Sequence, residues 1–227
     1  MPYRATEKTE ATRRADRERI VRDAQALVSK GGFRSVAISD VARRARLAVG
    51  SVYRHFPSKA ELFAEVFRRA SGHEVQVTAD AGATREHAAD QLAHAIDTFA
   101  RRALESPTLA YALLAEPVDP AIEAERLLFR RSYRDAFARF IEGGVGRGEL
   151  PSQDAPVTAS ALVGGIGEAL LMPLGSASSA RKRAGEAALL AELQRFVRRA
   201  IGAQPLYSTS AASKKEKRHD HPRRRAP

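Results

Sequence analysis

No cysteine occurs in the 227-residue chain, which excludes disulfides, thiolate zinc sites, iron–sulfur clusters, a cysteine nucleophile and a thiol redox sensor. Long apolar runs are missing as well. The longest, Ala159 to Leu174, is interrupted by Gly164, Gly165, Gly167, Glu168 and Pro173, and is too short and too broken to span a bilayer. The opening residues, MPYRATEKTEATRRADRER, are polar throughout; this predicts no secretory signal, no membrane association and a cytoplasmic protein. No segment alternates with period two for long enough to make a strand. Catalytic motifs are absent too: there is no Ser/His/Asp spacing, nucleophile elbow, phosphate loop or carboxylate pair, so the sequence offers nothing to an enzyme reading and implies no cofactor. Gly164-Gly165-Ile166-Gly167 resembles a nucleotide loop only superficially, because the sixth position counted from Gly165 is Leu170 and no strand precedes it.

Acidic residues are scarce in one place. Residues 20–59 hold eight basic side chains against two acidic ones, Asp23 and Asp40, whereas residues 60–212 hold seventeen against nineteen. The last fifteen residues hold seven against two. The formal net charge of +11 therefore sits in the first quarter and the tail. A basic block beside a near-neutral remainder points to a polyanion bound at one end.

Helical periodicity fills most of the rest. Ile20, Ala24, Leu27 and Val28 share a face that Gly31-Gly32 terminates. Ser58-Lys59-Ala60-Glu61 is a capping box opening a helix that carries Leu62, Phe63, Val66, Phe67 and Ala70, with a soft stretch near residues 78–84. Longer patterns follow: one holds Ala89 to Leu104, one runs from Pro120 to Val145, one from Val157 to Met172 and one from Glu186 to Ile201. Beyond Gly202 the composition turns to KKEKRHDHPRRR, predicted to be a disordered basic tail. It serves either as a solubiliser or as an auxiliary DNA-binding arm.

The stretch from Ala37 to Phe56 fits two short helices, Ile38 to Ala45 and Val49 to Phe56, joined by Arg46-Leu47-Ala48. That is a helix-turn-helix, whose second helix suits a major groove. Val41, Ala42, Ala45, Leu47, Val52 and Phe56 supply its small core. Gly50 and Ser51 allow close approach to base edges, while Tyr53, Arg54, His55 and Lys59 offer phosphate contacts. Ser39, Arg46 and Val49 complete the DNA-facing candidates. Ordinary surface residues of an unrelated bundle are the bland alternative, and the charge block, turn length and capping box jointly oppose it.

The run from Arg19 to Phe67 resembles the tetracycline-repressor (TetR) family of bacterial one-component regulators. Matching positions include Gly31-Gly32-Phe33, Ile38, Asp40-Val41-Ala42, Ala45, Leu47, Gly50, Val52-Tyr53, His55-Phe56, Ser58-Lys59 and Glu61-Leu62. Departures are Ala37 and Ala48, where the family usually has capping Thr or Ser, and Arg46, where it usually has Gly. A missing cap costs about 0.5–2 kcal/mol, which predicts a less stiff head. The resemblance implies an all-α protein with a three-helix DNA-binding domain (residues 16–60, after a flexible basic arm at 1–15) and a helical ligand-binding and dimerisation domain (61–203) before the tail (204–227). It further implies a homodimer bound to double-stranded operator DNA and released by a small apolar or aromatic ligand, most readily a repressor. A constitutive or architectural DNA-binding protein is the alternative.

Within the body, Phe99, Tyr111, Phe129, Tyr133 and Phe137 are candidates to line a pocket or to fill the core. Ala161, Gly165 and Ala169 recur every four residues; with Leu189, Leu193, Phe196 and Val197 they suggest a two-helix dimer surface, against the plainer reading of intrachain core. His87, Gln91 and His94 share a helix face beside Asp90, a weak metal pattern that is better read as solvated histidines, so no metal site is assigned.

Overall fold

The computed structural model describes residues 7–174 and 181–203. Among these residues there are nine helices and no strand, in keeping with the all-α expectation. The basic tail, residues 204–227, lies outside the described residues.

The head comprises α1 (Glu7–Gly31), α2 (Ile38–Ala45) and α3 (Val49–His55). Helix α1 buries Ile20, Ala24 and Val28 of the predicted stripe together with Val21, while Leu27 is half-buried. It also reaches back to Glu7, so residues 7–15 of the expected flexible arm are helical, while residues 1–6 lie outside the described residues. The stretch EKTEATRRADRER is rich in Glu, Ala, Arg and Lys and has no glycine or proline to stop a helix growing backward from Ile20. Gly32 ends α1 in the left-handed region at φ 79°, its N–H donating to the Val28 carbonyl at 2.8 Å.

Helix α4 (Lys59–Ala83) links head and body. The Ser58 hydroxyl caps it by accepting from the Glu61 N–H at 3.1 Å, as the capping box requires. The helix continues unbroken through the stretch read as soft, because Thr78 and Gly82 are buried there against the body. Body helices follow: α5 (Ala88–Glu105), α6 (Pro107–Leu114), α7 (Pro120–Gly146), α8 (Ala155–Leu174) and α9 (Arg181–Ala200). Helix α7 packs against α4, α5 and α8, while α9 packs on α5 and α8. The short α6 reaches the head and packs on α1. Periodicity did not reveal α6, whose eight residues PTLAYALL are apolar almost all round. No helix among the described residues is long and apolar enough to cross a membrane.

One aromatic chain joins head to body. Phe33 stacks on Phe67 at 5.9 Å between ring centroids, and Phe67 meets Phe129 edge-on at 6.0 Å. Tyr133 then meets Phe129 at 4.9 Å and Phe99 at 5.0 Å.

Two glycines of α4 differ in what surrounds them. A Cβ on Gly82 falls 2.8 Å from the Phe140 ring and 2.9 Å from the Gln91 carbonyl oxygen, whereas one on Gly72 meets nothing within 4 Å. Gly82→Ala is expected to cost about 1–3 kcal/mol, since backbone cannot step aside easily. Gly72→Ala is expected to gain about 0.5–1 kcal/mol from helix propensity alone. Urea unfolding midpoints of the two variants should move in opposite directions.

Candidate nucleic-acid interface and body cavity

Helices α2 and α3 pack through Val41, Ala42, Ala45 and Val52, with Phe56 closing the base and Leu47 half-buried beside them. These are the core positions the spacing assigned. Neither Ala37 nor Ala48 makes a side-chain cap. Asp40 compensates in part, its carboxylate accepting from the Ala37 N–H at 3.2 Å.

Arg46 holds φ 55° and ψ 45°. Its N–H donates to the Arg43 carbonyl at 3.2 Å and the Leu47 N–H to the Ala42 carbonyl at 2.9 Å. This is the left-handed helix ending that glycine usually supplies. An arginine there carries local strain and holds an exposed cation beside α3.

With its apolar face inward, α3 presents Val49, Gly50, Tyr53 and Arg54 to solvent, with Ser51 and His55 half-exposed. Tyr53 is 45% exposed despite its ring. Arg54 donates to the Ser51 hydroxyl at 2.7 Å, which holds the guanidinium along the helix. A Cβ on Gly50 meets nothing within 4 Å, so no contact inside the chain requires glycine there. Ser39 at the start of α2 is exposed as well. Lys59 opens α4 and lies over the Phe63 ring at 5.2 Å.

Ion pairing separates the basic residues of the head. Arg43 pairs with Asp40, and Arg44 with Asp23 at 3.4 Å. Arg22, Lys30, Arg34, Arg46, Arg54 and Lys59 have no ion-pair partner among the described residues. Around the start of α4 cations are neutralised locally: Glu65 faces Arg17, Arg68 and Arg69, and Glu18 also takes Arg69. The Arg69 hydrogen bond, followed by its positive charge, holds the Glu18 carboxyl below its ordinary range. Arg85, Arg130, Arg131 and Arg139 of the body are also outside these ion pairs, but basic and acidic residues balance there, so the net positive charge lies on the head, where a phosphate backbone would neutralise it.

In the body, two chambers of about 80 and 120 Å³ share an apolar wall of Phe99, Leu114 and Phe129, the smaller being lined also by Glu74, Arg102 and Glu105. The larger is lined also by Tyr133, Phe137 and Ile166, with Arg130 and Glu168 among its polar residues. Four of the five aromatic candidates thus meet at one site. Tyr111 does not: it is 42% exposed on α6 and lines neither chamber. Alternation of faces on so short a helix sends Leu109, Ala110 and Leu113 to the cavity and Tyr111 outward. The Tyr133 hydroxyl lies 3.4 Å from the Thr78 hydroxyl, and burial raises its phenol well above the usual range. It stays neutral and is a polar handle in an apolar wall.

The proposed dimer stripe divides. Ala161 and Gly165 are exposed and Phe196 is 40% exposed, with Ala169 and Leu189 half-buried. Leu193 and Val197 are buried within the chain itself, because α9 packs along α5; for these two the intrachain reading holds. Of the histidine row, His87 lies 3.5 Å from Glu149, Gln91 donates to the Arg85 carbonyl, and Asp90 is taken by Arg198 at 2.6 Å.

Relief of the Arg46 backbone should separate stability from binding. Left-handed geometry costs a non-glycine residue about 1–2 kcal/mol, offset in part by the chain entropy of glycine. Arg46→Gly is therefore expected to raise the thermal midpoint slightly while weakening DNA binding, with a salt slope shallower by about one. Calorimetry and fluorescence anisotropy across a salt series check the pair.

A family model described as bacterial regulatory proteins, tetR family, matches residues 20–66, which span α1 to α4. The HTH-type transcriptional repressor KstR of Rhodococcus jostii is 47% identical over 53 residues, 23% of this chain and 25% of the relative. KstR of Mycobacterium tuberculosis is 45% identical over 56 residues, 25% of this chain and 26% of the relative. The chain thus spans about a quarter of the length of the curated relatives it matches. Among solved structures, FadR from Bacillus subtilis in complex with stearoyl-CoA aligns with TM-score 0.65 at 16% identity, covering 83% of this chain and 99% of that one. RolR in complex with resorcinol aligns with TM-score 0.60 at 18% identity, covering 87% and 97%. These structural likenesses extend the common fold over the body. The likeness in sequence to the tetR family of bacterial regulatory proteins thus lies in the head, residues 20–66.

Proposed function

We propose that the chain is a ligand-responsive transcriptional repressor that binds operator DNA as a homodimer and is released by a small apolar or aromatic molecule. The observation that carries this reading is the outer face of α3. It is open at Gly50, flanked by Arg46, Arg54 and Lys59 without carboxylate partners, and mounted on a body that contains an apolar cavity. In this reading Val49, Gly50 and Ser51 approach base edges, while Ser39, Tyr53, His55 and the three cations hold phosphates. The reading assigns no residue a catalytic role and places the protein in the cytoplasm, where its DNA is.

Cavity size supports a compact ligand. A cavity of about 150 Å³ lined by aliphatic and aromatic side chains takes benzene, so the 120 Å³ chamber suits a single ring and its polar handle, Tyr133. RolR is named with resorcinol, a ring of that size, whereas FadR is named with the far longer stearoyl-CoA. A ligand of the second kind would have to open the wall at Phe99, Leu114 and Phe129. The exposed small residues Ala161 and Gly165, beside Phe196, are the proposed centre of the dimer interface.

Gly50→Glu is expected to abolish DNA binding and leave the thermal midpoint unchanged, since the side chain meets nothing within the protein. Normal operator binding by that variant would remove α3 from the groove. Ala161→Glu should give monomers by sedimentation and weaker operator binding, because two half-sites one helical turn apart are no longer read together. A thermal-shift screen of phenols and other single-ring compounds, followed by Phe137→Trp to fill the chamber, tests the ligand. A compound that raises the midpoint of the parent but not of the variant, and that releases DNA, is the expected outcome. DNA binding indifferent to every compound would favour a constitutive DNA-binding protein.

A further inference from the structure

Glu116 is 6% exposed, a carboxylate almost wholly removed from water, and it belongs to neither the α3 face nor the cavity lining. It follows α6 by two residues and points across the molecule to the head. One carboxylate oxygen accepts from the Phe33 N–H at 2.9 Å and the other from the Arg34 N–H at 2.9 Å. Those amides belong to the turn after α1, and they converge because Gly32 before them is left-handed at φ 79°. A concave pair of backbone amides of this kind receives an anion. The fit is close: a Cβ on Gly32 would fall 2.7 Å from the carboxylate oxygen.

The body side is held as firmly. Arg126 of α7, also 6% exposed, donates to the Glu116 carbonyl at 2.6 Å, to Leu113 at 3.0 Å and to Ala112 at 3.3 Å. Its guanidinium thereby fastens the end of α6 and the residue beyond it to the body core. Leu113 and Leu114, in that same turn, line the smaller chamber. A chain of directed polar contacts therefore runs from α7, through the last turn of α6, to the backbone of the head.

We propose that Glu116 is a positioning residue that sets the angle of the reading head on the body, and through it the separation of DNA half-sites the dimer accepts. The inference rests on the dimeric DNA-binding function proposed above. A single hydrogen bond would fix a distance and leave rotation free. Two adjacent amides on the two oxygens of one planar group fix rotation as well. In a dimer the second head binds from the same molecule, at an effective concentration that is greatest when the two heads are held at the spacing of the sites and collapses when they are not. Rigid heads give a sharp dependence on spacing, and heads released from the latch give a shallow one.

The test uses the full chain and DNA selected from a random pool by the unaltered protein. Duplexes carry the two selected half-sites at their natural separation, with one or two base pairs added or removed between them, or one half-site alone. One added base pair turns the second site by about 34° around the duplex. For the parent, affinity should fall about 10-fold or more across that series. For Glu116→Ala the fall should shrink to about 3-fold or less, with affinity for the single half-site unchanged. Glu116→Gln keeps one acceptor but turns an N–H toward a donor, and should lie between. Two results would overturn the latch: a Glu116→Ala protein as sensitive to spacing as the parent, or one that loses single-half-site affinity in step, which marks a residue needed only to fold the head. A parent protein indifferent to spacing would instead overturn the dimeric reading, and the latch with it.

Discussion

Helix α4 has one buried stripe to offer and two partners that need it. Leu62, Phe63, Val66 and Phe67 are buried completely or nearly so. Phe63 and Phe67 both pack on Phe33 of the head, and Phe67 reaches Phe129 of the body. Each such side chain removed from water contributes about 1.5–3 kcal/mol. Without them the head, whose own interior between α2 and α3 is mostly alanine and valine, has little to close upon. Displacement of the head is therefore felt at α4, and displacement of α4 at the aromatic cluster around the cavity, while the angle of the head is left to more directed contacts. That shared stripe makes the cavity mechanically relevant to the DNA-facing surface.

Charge is arranged to leave the same connection clean. Around α4 nearly every cation is answered: Arg68 by Glu65 and Glu125, Arg69 by Glu18 and Glu65, and Arg102 of α5 by Glu74 at 2.6 Å. Most such pairs lie near the surface and add little stability individually. Their collective effect is to keep the surroundings of α4 near neutral, so that the net positive charge is concentrated on the head, as attraction of a polyanion to one end would require.

Local signals made much of the helix-turn-helix and its exposed face legible beforehand. Helical spacing placed α2 and α3 within a residue of their observed limits, and Ser58 announced the start of α4. Charge arithmetic located the end where the net positive charge lies. Arg46 was visible as a departure from the family pattern, yet its cost became clear only from its left-handed backbone. The flexible arm was misread because an uninterrupted run of strong helix formers was taken as solvated chain when it continues α1.

What the sequence determined by itself is what depends on neighbours three or four positions away: helix faces, caps, the short turn between α2 and α3, and the balance of charge along the chain. Tertiary structure decided the rest. Leu193 and Val197 have the periodicity of an interface and of a core alike, and only the position of α5 assigns them to the core. Tyr111 shares its composition with the pocket aromatics but points out of an eight-residue helix that periodicity cannot orient. Glu116 and the amides of Phe33 and Arg34 are more than eighty positions apart in the chain. A carboxylate carries no local mark of the backbone it will meet, so a contact of that kind comes into existence only when the fold brings α6 against α1.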